Sequence, residues 1–312
     1  MMRVKFQLVI PLTIAALLAG CAPTAGGGPS GTSATPPPVT PSASPDARSA
    51  TAHKELEALE SEHGARVGVY AVDTGTGKQL AYRADERFGY ASTYKALAAA
   101  AVLADPPAGG LDAPVGYTSG QLVAHSPITE QHVETGMTLR ELADAAVRYS
   151  DNTAGNLLFD ALGGPAGFQA ALRGLGDTVT SAERVEPALN RLTPGETADT
   201  STPRALATDL RAFALGSALP TGARAQLKTW LVGNTTGDAL IRSVAPSDWT
   251  VGDKTGSADH GTRNDIAVIW RDTGKPVVLA VLTDHAAADA DTDDALVAAA
   301  AEAVLRGLGA LD

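Results

Sequence analysis

The chain has 312 residues, a net charge of −11 and 44% hydrophobic content, enough apolar material for one large core or two lobes. No lysine- or arginine-rich run relieves that acidic balance, which argues against nucleic acid as a partner. One cysteine rules out an internal disulfide, and six histidines without H-x-H or H-E-x-x-H spacing offer no zinc pattern. With no Walker loop or dinucleotide fingerprint either, no metal and no organic cofactor is expected.

Residues 1–20 read as an export signal. Arg3 and Lys5 precede a mostly apolar run from Phe6 to Leu18, too short to span a bilayer comfortably. Leu18-Ala19-Gly20-Cys21 resembles the lipobox of bacterial lipoproteins, in which the cysteine is lipidated and becomes the new N-terminus. The chain's sole cysteine stands at the one position that motif needs. The alternative is an ordinary signal peptide cleaved nearby, leaving a free thiol. Residues 21–50, rich in Pro, Ser, Thr and Gly, read as a disordered tether that holds the folded part, 51–312, off the membrane. The expected location is the outer face of the cell membrane, or else the periplasm or the medium.

The folded part opens with a helix from about Thr51 to His63. Val67, Val69 and Ala71 then alternate through a strand over Ala65–Asp73, and the turn Asp73-Thr74-Gly75-Thr76-Gly77 leads to a second strand over Lys78–Arg83. This is a hairpin. From Ser92 to about Leu240 the pattern is mostly helical. The first helix there runs through alanine-rich Ala96–Leu103 and is stopped by Asp105-Pro106-Pro107. Ser92 stands at or just inside its start, with Lys95 three positions on and on the same face. A serine hydroxyl is a poor nucleophile until a base removes its proton, and a desolvated lysine one turn away can serve. The helix start also favours negative charge developing at Ser92. Taken alone, the pair reads more readily as a capping serine and a solvated lysine.

Thr138-x-x-Glu141 is a capping box, followed by Leu139, Leu142, Ala143, Ala146 and Val147 on one helical face. Carried three turns past Leu139, that phase points Ser150 inward, where its hydroxyl needs a partner. Asp151 and Asn152 break this helix and cap the next, which ends at Gly163-Gly164. After Trp249 three strands return, over Trp249–Gly256, Asn264–Arg271 and Pro276–Thr283. A helix from about Asp291 to Arg306 follows, with Gly307 to end it. Strands at both ends predict one sheet built from both termini, with a helical lobe of about 92–240 inserted between its halves.

Ser92-x-x-Lys95, Ser150-Asp151-Asn152 and Lys254-Thr255-Gly256 each occur once, in that order, the motif set of class A β-lactamases and penicillin-binding proteins. Glu186-Pro187-Ala188-Leu189-Asn190 lies between the second and third. Together they make the chain resemble a class A serine β-lactamase over nearly its whole length after the tether. The resemblance implies an α+β fold: an antiparallel five-stranded sheet flanked by helices, with an all-helical lobe, β-lactamase/transpeptidase-like. It implies a monomer that takes a small β-lactam substrate.

In that family the nucleophile, here Ser92, attacks the lactam carbonyl, and its N–H joins that of the residue after K-T-G, here Ser257, as the oxyanion hole. Ser150, helped by Lys254, relays a proton to the leaving nitrogen, and Asn152 holds the substrate amide and Lys95. Glu186 with Asn190 positions and activates the water that cuts the acyl-serine ester. Whether the lysine or the glutamate serves acylation stays open. The resemblance further implies a cis Glu186–Pro187 peptide and an Arg184–Asp199 pair closing an Ω-shaped loop. Arg242, with Thr255 and Ser257, is matched to the substrate carboxylate, and Tyr117 to an aromatic wall. The run Gly256–Asp265 is similar to that of cefotaxime-hydrolysing members, so some cephalosporin activity is expected beside penicillin hydrolysis. Ala91 departs from the cysteine many members carry before the nucleophile. Two rivals share the first steps: a D-Ala-D-Ala carboxypeptidase or penicillin-binding protein, lacking the Glu–Asn pair, and a non-catalytic β-lactam-binding lipoprotein that stays acylated.

Overall fold

The computed structural model describes residues 47–311. The export signal, Cys21 and most of the tether lie outside the described residues. In chain order the elements are α1 (Ala47–His63), β1 (Ala65–Asp73), β2 (Gln79–Tyr82), β3 (Phe88–Gly89), a 3-10 turn (Ala91–Thr93), α2 (Tyr94–Ala104), β4 (Pro114–Val115) and β5 (Met137–Thr138). Then come α3 (Leu139–Arg148), α4 (Asn152–Leu162), α5 (Gly164–Leu175), β6 (Thr200–Ser201), α6 (Pro203–Ala214) and α7 (Thr221–Val232). The last four are β7 (Thr250–Ala258), β8 (Thr262–Trp270), β9 (Val277–His285) and α8 (Asp294–Leu308). The first helix begins at Ala47 rather than Thr51. After Pro45 the sequence holds no further breaker, so the helix takes over before the expected end of the tether.

Five strands form one antiparallel sheet in the order β2-β1-β9-β8-β7. The pairing of β1 with β9 joins the two ends of the folded chain, as the strand pattern predicts. Both faces of this sheet are covered, which is why its inner strands read as near-continuous apolar runs. Val67, Val69 and Ala71, with Leu279 and Val281, pack under α1 and α8 against Leu56, Leu296 and Val304. Tyr70 and Val72, with Val278, Ala280 and Leu282, turn to the other side and join Leu206 and Leu210 of α6.

Helix α2 is buried from Tyr94 through Leu103. It touches α3, α4, α5, α6 and α7, and a helix apolar all round belongs at the centre of such a lobe. Its alanines let five neighbours approach. The Thr138–Glu141 capping box starts α3, Asp151 caps α4 by accepting from Ala154 N, and Gly163 at φ 87° ends α4. Helix α8 runs past Gly307 and stops at Gly309, φ 73°. Gly307 serves packing instead: a Cβ there would come within 2.5 Å of Leu80 Cδ1 and 2.7 Å of Ala52 Cβ. Among the described residues no helix is long and apolar enough to cross a membrane.

Candidate active site

Ser92 sits in the 3-10 turn that feeds α2, and Lys95 lies one turn later, fully buried. Lys95 Nζ donates to Ser92 Oγ at 2.9 Å, Asn152 Oδ1 at 2.5 Å and the Ser150 carbonyl at 2.8 Å. It also ion-pairs with Glu186 Oε1 at 3.1 Å. Burial pushes the Lys95 ammonium below its ordinary range, against the upward pull of the Glu186 carboxylate. Gly155 of α4 makes room for this arrangement, because a Cβ there would stand 2.5 Å from Tyr94 Oη and 2.8 Å from Lys95 Cε.

Ser150 is buried, though not for the reason its helical phase suggests. Helix α3 ends at Arg148, and Ser150 adopts φ 57°, a left-handed turn that throws its side chain inward. Its Oγ accepts from Lys254 Nζ at 3.0 Å. Asp151 fastens the turn: besides capping α4, it accepts from Ile128 N at 3.0 Å, Thr129 N at 2.9 Å and Thr129 Oγ1 at 2.9 Å. Tyr117, 5% exposed, donates its hydroxyl to the Thr129 carbonyl at 2.8 Å, so it braces the same loop. Asn152 Oδ1 accepts from Lys95, and its Nδ2 donates to the Ala124 carbonyl at 2.9 Å.

Glu186 is 2% exposed. Ser92 Oγ donates to its Oε1 at 3.3 Å, and Asn190 Nδ2 donates to its Oε2 at 2.6 Å. The Glu186–Pro187 peptide is cis. Arg184 Nε meets Asp199 Oδ2 at 2.5 Å, and Asp199 Oδ1 accepts from Glu183 N, Arg184 N and Tyr90 Oη, which closes the loop at its neck. Asp259 N donates to the Asn190 carbonyl at 3.1 Å, tying the loop to the β7–β8 turn.

Lys254-Thr255-Gly256-Ser257 lies on β7, the edge strand. Lys254 Nζ, fully buried, also donates to the Thr255 carbonyl at 2.8 Å. Burial, then the neighbouring Lys95 charge, pulls the Lys254 ammonium down to about 7. Gly256 is where the strand meets the Ser92 turn: a Cβ there would lie 3.0 Å from Ala91 Cβ and 3.1 Å from Ser92 N. Thr255 Oγ1 bonds Thr236 Oγ1 at 2.6 Å. Arg242 makes no hydrogen bond to Ser257 among the described residues. Its guanidinium pairs with buried Asp253 and donates to the Asn234 carbonyl at 3.1 Å.

Three residues of the site escaped the motif reading. Arg263 is the cross-strand partner of Ser257, and its Nη1 donates to Ser257 Oγ at 3.0 Å while Nε holds Asp294 at 2.5 Å. A hairpin turn of Asp259–Gly261 between two strands places it there, so its spacing from Ser257 was the available signal. Asn156 clamps the Glu186 backbone, accepting from its N–H at 2.8 Å and donating to its carbonyl at 2.9 Å. It stands one helical turn after Asn152, on the same face. Asn264 Nδ2 donates to the Gly89 carbonyl at 2.8 Å and its Oδ1 accepts from Thr283 N, anchoring the segment before Ser92 to the sheet. Among the described residues no group of three or more His, Cys, Asp or Glu side chains gathers as a metal site would.

Residues 51–308 match a family model described as "Beta-lactamase enzyme family". The chain is 55% identical over 250 residues to a beta-lactamase of Bacillus amyloliquefaciens, covering 80% of this chain and 82% of that protein. It is 56% identical over 256 residues to a beta-lactamase of Amycolatopsis lactamdurans, covering 82% and 85%. Among solved structures, a class A beta-lactamase from Clostridium kluyveri superposes with a TM-score of 0.81 at 46% identity, covering 82% of this chain and 98% of that one. A beta-lactamase from Streptosporangium roseum gives 0.82 at 46%, covering 84% and 100%.

Proposed function

Because the chain belongs to the class A serine β-lactamase family, and so hydrolyses β-lactams, we propose that Ser92, Lys95, Ser150, Glu186 and Lys254 carry the reaction. Ser92 Oγ attacks the lactam carbonyl and loses its proton into a chain with two bases in reach, Lys95 Nζ at 2.9 Å and Glu186 Oε1 at 3.3 Å. Since those two stand 3.1 Å apart, a proton taken by either is shared. The N–H groups of Ser92 and Ser257 receive the oxyanion, each worth ~10²–10³ in rate. Ser150 protonates the departing nitrogen and is recharged from Lys254, 3.0 Å away. Asn152 and Thr255 hold the substrate. Arg263, rather than Arg242, meets its carboxylate, because Arg263 hydrogen-bonds Ser257 while Arg242 is paired with Asp253.

One observation carries the choice of hydrolase over acylated receptor: Glu186 is held against Ser92 by Asn190 and Asn156. Asn190 Oδ1 is buried with no partner among the described residues, the acceptor a hydrolytic water would use while Glu186 takes its proton. Mass spectrometry after mixing with benzylpenicillin tests this. A transient adduct with continued hydrolysis is expected; Glu186→Gln should acylate and stay acylated, with turnover lower by ~10³ or more. Undiminished turnover in that variant would overturn the assignment. Arg263→Ala should raise KM for benzylpenicillin ~10-fold or more, whereas Arg242→Ala should act mainly on stability. The reverse pattern would return the carboxylate to Arg242.

Every residue of this machinery comes from one chain, so a monomer suffices. The likeness of Gly256–Asp265 to cefotaxime-hydrolysing enzymes supports some cephalosporin turnover, which negligible cefotaxime hydrolysis would remove. The export signal and Cys21 support an exported, lipid-anchored enzyme. Fatty-acid label that survives Cys21→Ser would exclude the anchor.

A further inference from the structure

At the end of the sheet away from Ser257, a cleft of about 800 Å³ opens beside the β1–β2 turn, the β8–β9 turn and the start of α1. Among the described residues Arg48, Lys78, Arg271 and Lys275 line it, together with the carboxylate of Asp73. That carboxylate is already engaged. Arg271 Nη2 holds its Oδ2 at 3.0 Å, and Gly75 N and Thr76 N donate to its Oδ1 at 2.8 and 3.0 Å. Arg271 is in turn fixed by the Lys275 carbonyl, so its charge cannot swing away from the turn. Four cations are gathered at one pole of a chain whose net charge is −11. Such an asymmetry turns this pole toward an anionic surface and the rest of the molecule away from it.

The position of the cleft says which surface. Ala47, where the described chain begins, lines it, so the segment descending from Cys21 enters the fold here. Strand β7 starts at this end with Thr250 and carries Ser257 at the other, a rise of roughly 23 Å along the strand. We propose that the Arg48–Lys78–Arg271–Lys275 cleft is a docking surface for anionic phospholipid headgroups, which seats the protein on the membrane with Ser92 facing away. Each basic side chain at such a surface adds an attraction that decays within a Debye length. The docking does not require lipid on Cys21 and does not depend on the catalytic assignments. An acyl chain at that cysteine, on a tether ending at the same pole, would act as the second of two membrane signals.

The test uses the full chain carrying Cys21→Ser, so that no acyl group contributes. Binding is measured by co-sedimentation with phosphatidylcholine vesicles, with and without about 30% phosphatidylglycerol, and the reading is the gain due to the anionic lipid. That gain should vanish at about 0.5 M NaCl. Lys78→Glu with Lys275→Glu should cut it at least ~10-fold, and Lys275→Gln alone about fivefold. Lys54→Glu with Arg211→Glu makes the same change in net charge at exposed positions outside the cleft, and should cut it less than about threefold. All variants should hydrolyse benzylpenicillin at the unsubstituted rate, which reads folding separately from docking. A gain untouched by the Lys78 and Lys275 substitutions, or one that falls equally in the control pair, overturns the proposal.

Discussion

Two ammonium groups, Lys95 and Lys254, are both fully buried in one hydrogen-bonded site, and each finds carboxylate, hydroxyl or carbonyl oxygens there. Desolvation dominates both, and the Lys254 ammonium is pulled down to about 7. If its charge supports proton delivery through Ser150, kcat/KM falls as pH rises through that value. Lys254→Arg keeps the charge at every accessible pH, so the alkaline limb should move up by more than about one pH unit. A limb that stays in place would assign it to another group. The chemical identities of Ser92, Lys95, Ser150, Glu186 and Lys254 were legible from short motifs. Arg263 was not. Whether it or Arg242 faces Ser257 depends on a cross-strand register and on the buried Asp253 that captures Arg242.

At the scale of elements, the site exists because a helical lobe and a sheet edge meet at two glycines. Gly155 lets α4 close on Lys95, and Gly256 lets β7 close on Ser92. Gly155→Ala would push a methyl into Tyr94 Oη and Lys95 Cε, a misfit costing ~1–3 kcal/mol. Because Lys95 must shift to relieve it, kcat should fall ~10²-fold while KM changes little; thermal melts and steady-state kinetics read the two effects. Capping signals held at this scale except at Gly307, which lies inside α8. Thr138, Asp151 and Gly163 each act where the sequence places them, since a cap bonds within three or four residues of itself. Ser150 shows the limit. Its inward direction was anticipated from helical phase, yet the helix stops at Arg148 and a left-handed residue supplies the turn instead.

At the scale of the whole molecule, stability carries a pH signature away from the site. Asp209 of α6 is 1% exposed, and burial, reinforced by the nearby Asp177 carboxylate and only partly offset by Arg173, pushes its carboxyl up to about 8. The folded chain therefore keeps a proton that the unfolded chain releases near its ordinary value of 3.8. Stability attributable to this group is present at low pH and is lost as pH rises from about 4 to about 8. Asp209→Asn removes that slope, so the fall in Tm between pH 5 and pH 8 should shrink by several °C on the order expected for a domain this size. An unchanged slope would mean the carboxyl ionises at its ordinary pH. The β-lactam chemistry should be unaffected, because neither Asp209 nor Asp177 contacts Ser92, Lys95 or Glu186 among the described residues.

The order of residues by itself determined the reaction class, most of the caps and a sheet drawn from both ends of the folded chain, and it singled out Ser92 as the candidate nucleophile and Glu186 with Asn190 as the candidate deacylating pair. These rest on side-chain chemistry and on interactions reaching a turn or two along the chain, which sequence spacing records directly. Only the tertiary structure decided how dry the two lysines are, that Asn156 and Asn264 hold the Glu186 and Ser92 segments, that Arg263 and not Arg242 reaches Ser257, and that Arg48, Lys78, Arg271 and Lys275 share one pole. Desolvation and charge juxtaposition are sums over neighbours that lie far apart along the chain, so they take their values only once those neighbours have been brought together.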